Sequence, residues 1–198
     1  MDAAALSIAM GLLPLAFLGV LRARGQRRDV AWLWLAIAFA VSWLADVVSS
    51  ALAAPDRWIV SLVYPIAQAA IVGRVLLTRR RAIALLGLLV LTGCVAVLWR
   101  GVEGPDAVLR SIAWLSVVAI VADRPELPAR LQWCLFVYFG VGWLSWIAHV
   151  EWIHEHPHAH GIAPTWYAYQ GVRLAGLLLF CWAAMKPGPS LRLVRACA

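Results

Sequence analysis

The sequence predicts an all-α integral membrane protein, a bundle of seven transmembrane helices with the N-terminus outside and the C-terminus in the cytoplasm. Composition is the first observation: 64% of the 198 residues are hydrophobic and 14% are charged, whereas charged residues make up about a quarter of soluble domains. The second is a series of apolar runs close to the ~20 residues that cross a bilayer. The third is the uneven distribution of arginine between these runs. We therefore expect residues 1–198 to form one transmembrane domain in contact with the lipid bilayer.

The apolar runs define the spans in order. We expect spans over residues 3–21, 30–54, 58–78, 82–99, 107–122, 131–153 and 165–185. The first run follows no basic segment and precedes no convincing cleavage site, so we expect a retained span rather than a signal peptide. Pro55 closes the second span, three arginines at 79–81 close the third, and a turn rich in glycine and proline follows the fourth.

The fifth run is the shortest of the seven. It has 16 residues from Ala107 to Ala122 and includes Arg110, so a re-entrant or protein-packed helix is an alternative to a full crossing. The sixth run leads into a histidine-rich loop, and the seventh contains Arg173. Whether the fifth run crosses decides the orientation of everything that follows it.

Lysine and arginine favour one side of the predicted membrane. Of the 17 such residues, 12 lie in one alternating set of connections, at residues 22–29, 79–81, 123–130 and after Met185. The opposite set holds only Arg57 and Arg100. Because cytoplasmic loops carry the excess of positive charge, we expect the first set in the cytoplasm and the protein in the bacterial inner (cytoplasmic) membrane. The basic residues do not cluster as phosphate-binding residues should, so we expect no nucleic acid partner despite the net charge of +7.

Polar residues inside the spans form a predicted layer in the outer half of the bundle. Helix rise puts Asp46, Gln68 and Arg173 roughly 12–15 Å deep. An aspartate inside a span costs about 3 kcal/mol on insertion scales and therefore needs a partner. We expect an Asp46–Arg173 ion pair, with further hydrogen bonds from Gln68 and from Ser42 or Ser49. The layer supplies the predicted ligand-binding residues, which are Ser42, Asp46, Tyr64, Gln68, Trp143, Trp146, His149, Tyr169, Gln170 and Arg173.

Two interpretations of this layer are open. Apolar cavities with a few convergent polar groups bind small molecules, which predicts a pocket that opens to the outside. Alternatively, the ion pair serves only to fix helix packing. Five tryptophans lie deep within spans, where an indole N–H needs a partner or a ligand; they are Trp43, Trp114, Trp143, Trp146 and Trp182.

A histidine cluster follows the sixth span. Imidazole is the commonest ligand of transition metals, so the cluster predicts a divalent metal such as zinc, copper or nickel. The predicted metal ligands are His154, His156, His158 and His160. Their spacing differs from the H-x3-5-H pattern of structural zinc sites. A solvated loop that binds metal weakly, and that titrates near pH ~6.5, is the alternative.

Several known chemistries do not fit the sequence. The seventh span has no lysine for a retinal Schiff base, so we expect no retinal. Only His149 lies close to the membrane interior, whereas haem cytochromes need facing histidines within spans. There is no GxSxG or HExxH motif, and the histidine spacing differs from that of ceramidase-type hydrolases. We assign no catalytic residue.

Three function classes therefore remain open. The first is a membrane protein that recognises a small molecule or a lipid in the outer-half layer, as a receptor, carrier or binding module. The second is an accessory subunit whose apolar faces pack against a membrane-protein partner in a larger complex. The third is a membrane-embedded, metal-dependent hydrolase that uses Asp46, His149 and a metal. We favour the first, which makes the protein a binding protein rather than an enzyme.

Overall fold

The computed structural model describes residues 3–26, 30–52, 57–98, 105–156 and 164–185. Every regular element in these ranges is a helix, which confirms the all-α prediction. The helices are α1 (Ala3–Ala23), α2 (Val30–Ala51), α3 (Arg57–Leu76), α4 (Arg79–Leu98), α5 (Pro105–Ala122), α6 (Ala129–Leu135), α7 (Gly142–Glu155) and α8 (Pro164–Met185). A π-helical stretch over Phe136–Val141 joins α6 to α7 in one continuous segment.

The helices lie over the predicted apolar runs, but only some of them in the described ranges have the length and hydropathy of a span, so the seven-span arrangement stays a prediction. Four helical stretches are long and apolar enough to cross a membrane, namely Val30–Ser49, Ile59–Leu76, Ala129–Ile153 and Pro164–Met185. Two shorter apolar helices cover Met10–Ala23 and Val108–Ala122. Long apolar helices satisfy their own backbone hydrogen bonds, as the bilayer interior requires. The architecture is therefore compatible with a multi-pass membrane protein.

Two predicted boundaries differ from the observed ones by three residues, and the others differ by two residues at most. α2 ends at Ala51 rather than at residue 54, so Asp46 lies five residues, or ~7 Å, from the end of its helix rather than eight residues. α4 begins at Arg79, whereas the prediction placed the three arginines at 79–81 before the helix. Arginine is a good helix former, so the first turn of α4 includes these residues.

Aromatic contacts join α2 to the π-helical stretch and to α8. α2 packs along α1 and α3, while α8 packs along α6, α7 and α1. Phe39 of α2 lies edge-on to Tyr138, with 4.6 Å between ring centroids, and edge-on to Phe180 of α8 at 5.3 Å. Such pairs contribute about 0.5–1.5 kcal/mol each beyond their buried area. Ring packing therefore holds α2 against the π-helical stretch and α8.

Two glycines permit close helix contacts beside the polar layer. A Cβ on Gly11 of α1 would clash with the Cβ of Trp43 on α2. A Cβ on Gly176 of α8 would lie 2.8 Å from the Cβ of Tyr138. Small residues at such crossings let helix backbones approach closely in membranes. The two glycines thus set the positions of Trp43 and Tyr138, which both belong to the site.

The π-helical stretch is a feature that the sequence analysis did not predict. Its residues, FVYFGV, include no proline or charge that would mark an irregularity. The wider turn leaves Tyr138 and Phe139 buried, and the Tyr138 hydroxyl reaches Ser42 of α2. π-bulges occur frequently at functional sites, and this one carries a residue of the polar layer.

Candidate functional site

An ion pair between α2 and α8 forms the centre of the site. Arg173 is 1% exposed, and its Nη1 donates a hydrogen bond of 2.6 Å to Oδ2 of Asp46. The predicted Asp46–Arg173 pair is therefore confirmed. The Asp46 side chain is 38% exposed, because it lies near the end of α2. In this pair the cation is buried, whereas the carboxylate is partly exposed at the protein surface.

Ser42 extends the ion pair into a hydrogen-bond chain. Its Oγ accepts a bond of 2.6 Å from Nη2 of Arg173 and donates one of 3.2 Å to the carbonyl of Phe39. Since a serine hydroxyl has one proton, the 2.5 Å contact with the Tyr138 hydroxyl is then donated by the tyrosine. Gln170 adds an acceptor for Nη1 at 3.2 Å. Ser42 and Gln170 were both predicted in the layer, whereas Tyr138 was not.

Aromatic rings cover the faces of the Arg173 guanidinium. Its Cζ lies 4.0 Å from the ring centroid of Trp43 and 5.3 Å from that of Tyr169. Cation–π contacts stabilise a guanidinium without occupying its N–H groups. Two buried donors here have no hydrogen-bond partner in the described part of the chain, the Nε of Arg173 and the Nε1 of Trp43. Buried N–H groups are normally paired, so these two point to an absent acceptor.

A second arginine lies in an aromatic cage in the same layer. The Cζ of Arg110, on α5, lies 4.2 Å from the ring of Trp146, 5.1 Å from that of Tyr64 and 6.0 Å from that of Trp114. Its Nε is buried and, within the described residues, has no acceptor. Arg110 was not among the predicted ligand-binding residues. Its position as one of the few charges inside a predicted span was the signal that could have placed it in the site.

The two arginines share one electrostatic environment. The phenol groups of Tyr64 and Tyr169 each interact with both Arg110 and Arg173, and also with Asp46. The charged residues close to both phenols, among those described, are therefore two arginines and one aspartate. Among the described side chains of the layer, positive charges therefore outnumber negative ones.

Gln68 has a different role from the predicted one. Its Nε2 donates 2.8 Å to the carbonyl of Ala38 on α2, and its Oε1 accepts 3.3 Å from the indole of Trp114 on α5. The expectation that Gln68 supports the Asp46–Arg173 pair is wrong. A neutral amide can bond to any nearby carbonyl and indole, and these lie on the helices next to α3. Gln68 is fully buried and ties three helices together below the cage.

Of the three predicted ligand-binding residues on α7, two contact neighbouring helices and one belongs to the aromatic cage around Arg110. Trp143 donates 2.8 Å to Oγ of Ser111 on α5. The Nδ1 of His149 lies 3.1 Å from the hydroxyl of Thr165 at the start of α8. Both contacts join α7 to a neighbouring helix. Trp146, in contrast, lies over Arg110 and is 7% exposed.

An open groove adjoins the cage between α5 and α7. It encloses about 360 Å³, within the ~300–1,000 Å³ typical of small-molecule sites. Six of its eight lining side chains are apolar, and the lining consists of Val108, Ser111, Ile112, Leu115, Trp146, Ile147, Val150 and Glu151. Trp146 belongs to both the groove and the cage, since its ring lies over Arg110 and also lines the groove.

The predicted metal site lies largely beyond the described residues. His158 and His160 fall outside them, and His154 is described only as part of α7. The ring of His156 stacks on Trp152 at 4.7 Å between centroids, and its Nδ1 lies 3.1 Å from the Trp152 carbonyl. In the part of the chain with described side chains, no three potential metal ligands come together. The histidine loop therefore stays a prediction.

Comparisons with protein-family models, with curated proteins and with solved structures find no match to this chain. Its function must be argued from the geometry alone. That geometry is a layer in which Arg173 pairs with the Asp46 carboxylate and Arg110 lies in an aromatic cage, beside an open apolar groove.

Proposed function

We propose that this chain is a multi-pass membrane protein that recognises a small molecule or a lipid in the outer half of its helix interior. It acts as a receptor, carrier or binding module rather than as a catalyst. Four buried side-chain N–H donors in the described part of the chain have no acceptor, and the proposal is carried by the three that lie in this layer, on Arg110, Arg173 and Trp43, the fourth being on Arg130 at the start of α6. Leaving each such donor unpaired costs about 1–3 kcal/mol. A ligand with suitable acceptors would remove that cost.

The charge balance favours a binding site over a purely structural ion pair. A pair that only fixes helix packing needs one cation for one carboxylate, as Arg173 and Asp46 provide. Arg110 adds a second cation, which lies against three aromatic rings rather than against a described carboxylate. Ionisable groups within spans commonly mark substrate or ligand sites because burying them is costly. Arg110 is therefore the residue that a structural role explains least.

The membrane arrangement proposed for this function has seven spans, with the polar layer towards the outside. The four long apolar stretches and the shorter apolar helices support it by length and composition. The arginine-rich connections give the orientation, because 12 of the 17 basic residues lie on one predicted side. In this arrangement the layer opens outwards, and the inner membrane of a bacterium is its proposed location.

Native mass spectrometry tests the proposed function. We expect protein extracted in a mild detergent to keep a bound mass of lipid or metabolite size after the detergent is stripped. Combining Arg110→Gln with Trp146→Ala should remove that mass, since both side chains build the cage. Arg74→Gln is the matched control, because Arg74 also lies over an indole, that of Trp34, but is exposed and outside the cage. A wild-type protein without any bound mass contradicts the proposal.

A further inference from the structure

We propose that the ligand is a long-chain carboxylate, with its head group on Arg110 and its single apolar chain in the groove between α5 and α7. This inference rests on the proposed function and names its ligand class. Three features carry it: the Arg110 Nε, which has no acceptor among the described residues, the Trp146 ring that the cage and the groove share, and the charge of Glu151 in the groove lining.

The surroundings of the Arg110 guanidinium suit the binding of a planar anion. The rings of Trp146, Tyr64 and Trp114 surround it, but π-systems accept no conventional hydrogen bond from the edge of the guanidinium. The Nε at that edge is buried without an acceptor among the described residues. A carboxylate matches the fork of guanidinium N–H groups with two parallel bonds. An anion would therefore supply the hydrogen-bond acceptor that the aromatic cage lacks.

The groove lies beside this head-group position and is mostly apolar. Ser111 follows Arg110 directly on α5, and Leu115 lies five residues beyond Arg110, which is ~7 Å towards the middle of the proposed span. A chain placed there points into the bilayer while its head group faces outwards. A small inorganic anion would leave the groove empty, and an uncharged lipid would leave the Arg110 Nε without an anionic acceptor among the described residues. An amphiphile with a negative charge uses both.

The groove also favours a single chain and a single charge. Its volume of about 360 Å³ lies at the lower end of the ~300–1,000 Å³ range of ligand pockets, which suits one chain. Glu151 lines the same groove and is exposed. Its carboxylate repels a second negative charge near Arg110. A monovalent carboxylate therefore fits better than a phosphate monoester.

Two matched probes test the inference. The first is terminally brominated dodecanoate and the second is the same brominated chain that ends in an alcohol, and bromine quenches nearby indoles. In an uncharged maltoside detergent, at an alkaline pH that ionises the acid, titration of tryptophan fluorescence gives both affinities. We expect the wild-type protein to bind the acid ~10-fold more tightly than the alcohol, as one charge-assisted hydrogen bond would provide.

Variants assign that difference to the proposed contacts. Arg110→Gln should reduce acid binding to the level of the alcohol and leave alcohol binding unchanged, whereas Arg74→Gln should change neither. If Arg110→Gln fails to fold, Leu115→Phe serves instead. Leu115 is an exposed groove residue, and the larger ring should weaken both probes while Arg110 stays intact.

The outcomes separate this inference from the proposed function. Equal saturable binding of acid and alcohol to the wild-type protein overturns the carboxylate head group but leaves lipid recognition standing. If neither probe quenches the wild-type protein while native mass spectrometry still finds a bound mass, the inference alone fails. If no bound mass is found either, both proposals fail together.

Discussion

The guanidinium of Arg173 is held by a carboxylate, a hydroxyl, an amide oxygen and an aromatic face. Each contact offsets part of the cost of burying a charge. Arg110 has only aromatic faces around it among the described groups. At the residue scale, then, Arg173 has protein acceptors for both of its terminal nitrogens and lacks one only at Nε, whereas the described surroundings of Arg110 are aromatic. This asymmetry separates the residue that holds the helices together from the one that we assign to the ligand.

A double-mutant cycle tests whether the Asp46–Arg173 ion pair stabilises the packing of α2 against α8. Asp46→Asn leaves a buried guanidinium without its counter-charge, and we expect a loss of about 2–3 kcal/mol, less than for a fully buried pair because Asp46 is 38% exposed. Asp46→Asn combined with Arg173→Gln should recover part of that loss. Thermal unfolding of the single and double variants in detergent measures the coupling. Strictly additive effects would contradict a direct interaction.

Residue identity and depth were enough to predict some of the site but not all of it. Asp46 and Arg173 could be matched because two opposite charges at one depth in an apolar span have few other partners. Gln68 could not be assigned, since its amide bonds equally well to the Ala38 carbonyl and the Trp114 indole. The cage around Arg110 depends on the rotation of α3, α5 and α7 about their axes. Apolar runs with weak amphipathicity do not reveal that rotation.

At the scale of elements, close helix crossings position the polar layer. α8 meets the π-helical stretch at Gly176, and α1 meets α2 at Gly11. The apolar runs predicted where the helices lie because length and hydropathy suffice for that. They did not predict the π-helical stretch, since its extra residue per turn depends on tertiary contacts such as the one between Tyr138 and Ser42. Helix ends near prolines and arginines were also displaced by a few residues.

Substitution of Gly176 tests this crossing. In Gly176→Ala the new methyl group would lie 2.8 Å from the Cβ of Tyr138, so α8 must move and we expect a loss of about 1–3 kcal/mol. Gly171→Ala on the same helix is the matched control, because nothing lies within 4 Å of its added Cβ. The control should be neutral or stabilising by ~0.5–1 kcal/mol. Equal unfolding temperatures for the two variants would contradict the close contact.

The histidine loop after α7 gives a separate prediction. We expect the protein to bind Zn²⁺ or Ni²⁺ with modest affinity, which falls on acidification because protons compete with the metal for the imidazole nitrogens. Glutamine at His154, His156, His158 and His160 together should remove the bound metal. His149→Gln is the control, since His149 contacts Thr165. Metal analysis that finds none in the wild-type protein, or an unchanged amount in the variant, would contradict the site.

In the proposed topology, the two sides of the whole molecule differ in where their arginines and their polar layer lie. Arginines concentrate at one predicted surface, while the opposite half contains the polar layer and the groove. An amphiphile in the outer leaflet could then reach Arg110 without crossing the membrane. The orientation therefore decides from which side the proposed ligand arrives.

Site-directed labelling measures that orientation. Glu126→Cys and Glu155→Cys place exposed thiols at the two ends of the α6–α7 segment, after the four native cysteines are replaced by alanine. In intact cells we expect an impermeant maleimide to label position 155 and to spare position 126. The reverse result would mean that the fifth run does not cross, and labelling of both would exclude a span between them.

A cryo-electron microscopy reconstruction of protein purified from its native membrane tests the central claim most directly, because it shows what occupies the edge of the Arg110 guanidinium. The account predicts non-protein density within hydrogen-bonding distance of the Arg110 Nε, continued by an elongated tail along the groove past Ile112 and Leu115. A closed groove, with the Arg110 Nε bonded to a side chain of this protein, would contradict it.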